Sequence, residues 1–112
     1  MVKRIRLGDS STVVCERCRV ADTFWLRFRG LMGRASLPAD EGILFERTGS
    51  IHMFFMRFPI DVVFCDRELR VVKVVRALAP WRTAGARGAK VTIELAAGAA
   101  AAVEPGAQLV LE

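Results

Sequence analysis

The chain has 112 residues, of which 53% are apolar, and a formal net charge of +5. This length predicts one domain, residues 1–112, with a core large enough to fold without a metal or a disulfide. No apolar run approaches the roughly 18 positions of a membrane helix, and residues 1–9 lack the apolar stretch of a secretory signal, so we expect a cytoplasmic protein without a membrane span.

The positive charge is mostly arginine, with fourteen Arg against three Lys. These residues are scattered along the whole chain instead of being concentrated in one helix or tail. A basic stripe is the usual footprint of a nucleic-acid interface. Nucleic-acid binding is therefore permitted but not favoured.

The N-terminal third predicts a strand pair followed by one helix. Residues 12–21 alternate as a strand, and residues 3–7 are expected to pair with it across the turn at Gly8. Asp22 or Thr23 is a suitable N-cap for an amphipathic helix near residues 23–32, because apolar residues recur at positions 24, 28, 31 and 32.

The stretch from Ile51 to Asp66 is the longest apolar run and predicts a hairpin. Its strands would be residues 51–56 and 60–65, because Pro59 between them cannot take part in a central ladder. Three polar residues interrupt the run: His52, Arg57 and Asp61. Polar side chains on such a surface must be paired or solvated, so each is a structural anchor or part of a site.

The remaining elements are further strands and a long loop. Strands are expected at residues 43–46, 69–78, 90–95 and 108–111, with Glu94 on the polar side of the third. Residues 79–89 form a loop containing Pro80-Trp81-Arg82, and residues 96–103 a helical turn. The expected fold is mainly β (β-rich α+β), a small, barrel-like, mostly antiparallel sheet with one helix.

Several short motifs resemble one known family. The chain is similar to the domain of unknown function 192 family, small uncharacterised bacterial and archaeal proteins, over nearly its whole length. The motifs that carry the resemblance are residues 29–34, Leu37-Pro38, residues 41–45, Ile51-His52, residues 55–64, Pro80-Trp81-Arg82, residues 94–98 and Pro105-Gly106.

The resemblance implies a compact, β-rich domain with one helix, and it implies no activity. Two features depart from the family pattern. Phe55 stands where the family often has Trp, and only Arg57-Phe58 precedes Pro59 where a longer connection is common. Many family members resemble exported or lipid-anchored proteins, whereas no such leader is evident here.

A zinc site is the first candidate site to consider. Cys15, Cys18 and Cys65 together with His52 have the composition of a Cys3His set. Within a regular strand, however, residues three apart point to opposite faces, so Cys15 and Cys18 could share a metal only across a knuckle turn. We therefore expect buried thiols, and neither a metal nor another cofactor.

An enzyme is an alternative function. His52, Asp61 and Glu94 could form a general-base set, but no nucleophile, phosphate loop or tyrosine accompanies them. For Asp61 we expect a structural role first, accepting backbone or arginine hydrogen bonds. We therefore do not favour a catalytic function.

The leading hypothesis is a small binding or accessory module. Its site would lie where the bend at Arg57 meets the loop carrying Trp81 and Arg82, and it would accept a small anionic ligand or a protein partner. His52, Asp61 and Glu94 are included among the binding residues. An enzyme is the first alternative and a nucleic-acid-binding domain the second.

Overall fold

The computed structural model describes residues 1–8, 10–23 and 30–112. Within these residues the chain forms nine strands. They are β1 (Val2–Leu7), β2 (Val13–Val20), β3 (Glu41–Glu46), β4 (Ser50–His52), β5 (Ile60–Cys65), β6 (Val71–Leu78), β7 (Thr83–Gly85), β8 (Val91–Ala96) and β9 (Leu109–Leu111).

Seven strands form one curled, half-barrel sheet in the order β6-β5-β8-β3-β2-β1-β9. Every neighbouring pair is antiparallel except β2 and β3, which run parallel. The predicted mainly antiparallel β fold is confirmed. β4 and β7 pair separately as a two-stranded antiparallel sheet.

The two edges of the large sheet meet at one point. Arg70, before β6, forms an isolated bridge with Gln108, before β9. Backbone hydrogen bonds from Val71 N to Ala107 O (2.8 Å) and from Leu109 N to Leu69 O (3.0 Å) reinforce this contact. The sheet therefore encloses an interior, although its edge strands do not share a full ladder.

The central strands are buried on both faces, which explains their continuous apolar runs. β5 and β8 are buried at all six positions each. On the inner face of the sheet, Leu44, Val63 and Ile93 belong to the inner core, together with apolar residues of β1, β2 and β9. On the other face, Phe45 and Phe64 belong to the outer core, which residues such as Leu31, Met53 and Met56 cover.

The predicted hairpin of residues 51–56 with residues 60–65 is wrong. Residues 50–52 form β4, which pairs with β7, and β5 pairs instead with β6 and β8. Met53 and Met56 are buried but lie in a turn, where the hydrogen bond from Met56 N to Met53 O is 3.2 Å long. Their apolar side chains cover the outer core, and the two residues do not form a strand.

The predicted helix at residues 23–32 falls mostly outside the described residues, because residues 24–29 are not among them. Residues 30–33, at its expected C-terminal end, form turns. The described ranges contain no helix, and so none that is long and apolar enough to cross a membrane. The expected helical turn at residues 96–103 is a series of turns.

Asp61 anchors one end of the sheet. Its side chain is 1% exposed, and its carboxylate accepts three backbone hydrogen bonds: Oδ1 from Ala77 N at 2.9 Å, and Oδ2 from Gly98 N and Ala100 N at 3.0 Å each. The expectation that Asp61 accepts backbone hydrogen bonds is confirmed. Its partners lie in β6 and in the turn after β8, and not in the Phe58-Pro59 bend.

We predict that Asp61→Ala lowers the free energy of unfolding by about 1–3 kcal/mol, because three buried N–H groups lose their acceptor. Asp40→Ala is the matched control, since that carboxylate is 47% exposed and pairs with Arg17 on the surface. It should cost less than about 1 kcal/mol. Urea denaturation measures both, and equal losses would contradict a structural role for Asp61.

Candidate functional site

Three exposed aromatic side chains lie together on one side of the protein. Phe54, Phe55 and Trp81, here called the aromatic surface, are 41%, 64% and 58% exposed. The ring centroids of Phe55 and Trp81 are 5.0 Å apart, and those of Phe54 and Trp81 6.0 Å. His52 stacks on Phe54 at 4.7 Å. The aromatic surface is therefore contiguous and open to solvent.

The small sheet of β4 and β7 positions this surface. Beyond the pair of His52 with Thr83, Met53 N donates to Arg82 O (2.7 Å) and Trp81 N donates to Met53 O (2.8 Å). The loop that carries Trp81 and Arg82 thus contacts Met53 and Phe55, next to the pair of β4 with β7. The predicted meeting of this loop with the bend at Arg57 stays a prediction. Phe55 and Trp81 have φ angles of 65° and 70°, a left-handed conformation that is unfavourable for bulky residues.

Two arginines are in the same loops. Arg57 lies two residues after Phe55, and Arg82 directly follows Trp81. Both side chains are exposed, and neither has an ion pair with an acidic residue in the described part of the chain. The loops that form the aromatic surface therefore also carry two positively charged side chains.

A cleft of about 170 Å³ lies beside His52 and extends to Glu94 on the outer face of the sheet. His52 Nδ1 accepts a hydrogen bond from Phe54 N (3.2 Å), and in the part of the chain that the structure describes Nε2 has no hydrogen bond. The other residues lining the cleft are Gly30, Leu31, Met32, Phe45, Thr48, Ser50, Ile51 and Met56.

Glu94 is the buried acid of this cleft. It is 7% exposed, and burial raises its pKa from the usual 4.5 to about 7. No hydrogen bond or ion pair of its carboxyl group occurs among residues 1–8, 10–23 and 30–112. Glu94 lies on the side of its strand opposite Ile93 and Leu95, as expected, but apolar residues such as Leu31 and Met56 cover that side.

The three residues of the enzyme hypothesis do not all meet. His52 and Glu94 line the same cleft, whereas Asp61 is on the inner face and gives its carboxylate to the backbone. The described ranges contain no group of three or more His, Cys, Asp or Glu that could hold a metal ion.

Cys15 and Cys18 do share a face, contrary to expectation. Lys3 pairs with Cys18 and Ile5 with Cys15, so β2 holds one extra residue in a bulge at Glu16-Arg17. Both thiols are buried in the inner core; the Cys15 thiol donates to Asp40 O at 3.5 Å, and contact with Cys15 together with burial raises the pKa of Cys18. Cys65 is also buried, which raises its pKa to about 12.

The sequence profile of the family DUF192, described as "Uncharacterized ACR, COG1430", matches residues 5–111. The chain belongs to this family. It is 42% identical over 91 residues to a UPF0127 protein of Thermococcus sibiricus, covering 73% of this chain and 56% of that protein. It is 46% identical over 67 residues to the UPF0127 protein PH1112 of Pyrococcus horikoshii, covering 57% of each. The chain thus spans little more than half of these DUF192 relatives.

Two crystal structures resemble the DUF192 fold seen here. A protein of unknown function from Novosphingobium aromaticivorans has a TM-score of 0.84 at 24% identity, covering 97% of this chain and 84% of that one. A proposed transcription regulator from Sinorhizobium meliloti has a TM-score of 0.83 at 24% identity, covering 99% and 94%. At this identity the likeness establishes the fold alone.

Sequence reasoning missed Phe54 and Phe55 as surface residues. It placed them inside a buried strand because the whole run is apolar. No local signal separates them, because all four residues of Met53-Phe54-Phe55-Met56 are apolar. The two rings are exposed and the two methionines buried because this segment forms a turn over the outer core.

We predict that Glu94 makes stability fall with rising pH. Between pH 4.5 and pH 7 the folded protein keeps a proton on Glu94 that the unfolded chain has released, so the free energy of unfolding decreases by about 3 kcal/mol over this range. Glu94→Gln should remove this loss, and the exposed Glu16→Gln should retain it. Urea denaturation at pH 5 to 8 measures the difference; parallel profiles for wild type and Glu94→Gln would refute it.

Proposed function

We propose that this protein is a small binding module and that its ligand is received by the aromatic surface between Arg57 and Arg82. The ligand would carry a planar or apolar group and an acidic group. The former would lie against Phe54, Phe55 and Trp81, and the latter would meet the two guanidinium groups.

The exposure of three adjacent aromatic rings is the observation that carries this proposal. Single exposed apolar residues are ordinary, but a contiguous group beside charged residues is typical of an interaction site. The backbone supports the same interpretation. Two of the three residues have positive φ angles, each of which costs about 1–3 kcal/mol, and such strain is concentrated at functional sites.

The neighbouring cleft adds polar groups to the proposed site. His52 both stacks on Phe54 and lines the cleft, so a ligand on the aromatic surface has a direct path toward Glu94. Because the pKa of Glu94 is raised to about 7, its carboxyl group can donate a hydrogen bond near neutral pH. This favours a ligand with a hydrogen-bond acceptor on the part that enters the cleft.

The alternatives receive less support. An enzyme that uses general acid–base catalysis would have His52 and Glu94 in one cleft, but Asp61 does not lie with them. A nucleic-acid-binding surface needs a continuous basic face, whereas several arginines pair with acids: Arg4 and Arg6 with Glu112, Arg17 with Asp40 and Glu41, and Arg76 with Glu104.

The test is tryptophan fluorescence in a Trp25→Phe background, where Trp81 is the sole reporter. Titration with benzoate, 2-naphthoate, phosphorylated metabolites and short oligonucleotides should give a saturable change with planar organic anions. Arg57→Gln with Arg82→Gln should weaken binding about tenfold, since charge-assisted hydrogen bonds are lost.

Arg19→Gln with Arg87→Gln removes the same charge from exposed positions outside the aromatic surface and should leave the affinity unchanged. No fluorescence change with any class of ligand would refute the proposal. A salt-dependent response to oligonucleotides alone would favour the nucleic-acid alternative.

A further inference from the structure

A second and larger cavity opens on the inner side of the sheet. Its volume is about 650 Å³, within the range of roughly 300–1,000 Å³ that is common for small-molecule sites. It is lined by Leu44, Glu46, Arg47, Gly49, Arg67, Leu69, Ala89, Lys90, Val91 and Leu111. None of these residues belongs to the aromatic surface or to the Glu94 cleft, so the cavity is a separate feature.

The two ends of the enclosed interior differ. At the end where β8 finishes, Asp61 holds the turn of residues 98–100 in place through the backbone bonds described above. The large cavity lies at the other end, beside Val91 at the start of β8 and Arg67 just after β5. One end of the curled sheet therefore carries a turn held by Asp61, and the other carries a cavity that is lined in part by residues of the inner core.

The wall of this cavity is apolar. Leu44 and Val91 are buried members of the inner core, and Leu69 and Leu111 pack against that core while remaining partly exposed. A ligand entering here would contact core side chains of β3, β8 and β9, and burial of apolar surface would stabilise it by roughly 25 cal/mol per Å². The wall thus suits a hydrocarbon chain.

The rim is basic. Arg47, Arg67 and Lys90 line the cavity with exposed side chains, against one acid, Glu46. In the part of the chain that the structure describes, these three cations have no ion pair. This differs from Arg4, Arg17 and Arg76, which pair with carboxylates. An excess of unpaired cations around an apolar cavity favours an anionic head group.

Two residues with positive φ angles help to shape this cavity. Among residues 1–8, 10–23 and 30–112, five residues other than glycine have positive φ angles, and two of them, Arg47 at 53° and Leu69 at 64°, line this cavity. Residues other than glycine adopt positive φ angles at a cost in free energy, and they keep this conformation where the surrounding structure requires it. Here the strained positions place one cation on the rim and one apolar side chain on the wall.

We propose that this cavity binds a single-chain amphiphile with a carboxylate head, such as a medium-chain fatty acid. The hydrocarbon chain enters between Leu44, Val91 and Leu111 toward the inner core. The carboxylate remains at the rim, where Arg67 and Lys90 donate hydrogen bonds to it. This site does not depend on the aromatic surface, and either can exist without the other.

Isothermal titration calorimetry with decanoate, below its micelle concentration, tests the proposal. Decanoate should bind in a saturable one-to-one manner, at least tenfold more tightly than decan-1-ol or decyltrimethylammonium, and acetate should give no measurable heat. Equal binding of the three ten-carbon compounds would overturn the carboxylate assignment. Failure of decanoate to bind would overturn the site.

Arg67→Gln with Lys90→Gln provides the matched variant, because both side chains are exposed and the fold should tolerate the change. Decanoate affinity should fall about tenfold. Arg19→Gln with Arg87→Gln, which removes equal charge outside the cavity, should leave affinity unchanged; an equal loss there would show non-specific attraction and overturn the proposal.

The location is checked with the Trp25→Phe protein. Decanoate should shift the backbone amide resonances of Leu69 and Val91 while leaving Trp81 fluorescence unchanged. A fluorescence change without those shifts would place decanoate on the aromatic surface, which would refute this site without affecting the proposed function.

Discussion

Burial of the central strands on both faces is the constraint on which the rest of the structure depends. β5 and β8 have no solvent-facing side, so every polar group on them must be satisfied by the protein or remain costly. Each of these strands carries one carboxyl group, and the two groups respond to burial in different ways. Asp61, on the inner face, accepts three N–H groups and organises the fold. Glu94, on the outer face, has its pKa raised to about 7 by burial, and its carboxyl group lines an open cleft. A buried acid whose pKa is raised in this way, and which lines a cleft, is a candidate for binding or chemistry.

Much of the strand content could be predicted from the sequence because it depends on local pattern. The valine-rich run that became β6, the alternation of β1 and β2 and the short apolar runs of β3 and β8 all appear as strands. The hairpin failed for a physical reason: an apolar residue is equally suited to a strand interior and to a turn that covers a core. Met53 and Met56 are buried in both interpretations, and only the pairing of β4 with β7, more than thirty residues away, decides between them.

The candidate site was predictable in part. Trp81 and Arg82 were identified because an unusual loop contains them, and backbone hydrogen bonds join them to Met53, four residues before Arg57, their expected partner. Phe54, Phe55 and the large inner cavity were not identified, because exposure in a turn and enclosure by a curled sheet both depend on contacts between residues that are far apart in the sequence. The bulge at Glu16-Arg17 shows the same limit on a smaller scale. One extra residue shifts the alternation of the strand and brings Cys15 and Cys18 to a common face. No residue type at this position predicts the bulge.

The positions of strain connect the two proposed sites to the fold. A protein of this size has little stability to spare, so a left-handed residue is retained only where something requires it. Ala77 is explained by the fold itself, since its N–H must reach Asp61. Leu69 and Trp81 also serve the fold, since Leu69 O accepts from Leu109 N where the sheet edges meet and Trp81 N donates to Met53 O. Arg47 and Leu69 line the basic cavity, and Phe55 and Trp81 belong to the aromatic surface. The φ angles of Phe55 and Trp81 fit the third position of tight turns, which are closed by hydrogen bonds from Met56 N to Met53 O and from Arg82 N to Ala79 O. The same turns that the fold requires therefore hold both rings at the surface, where the proposed ligand would meet them.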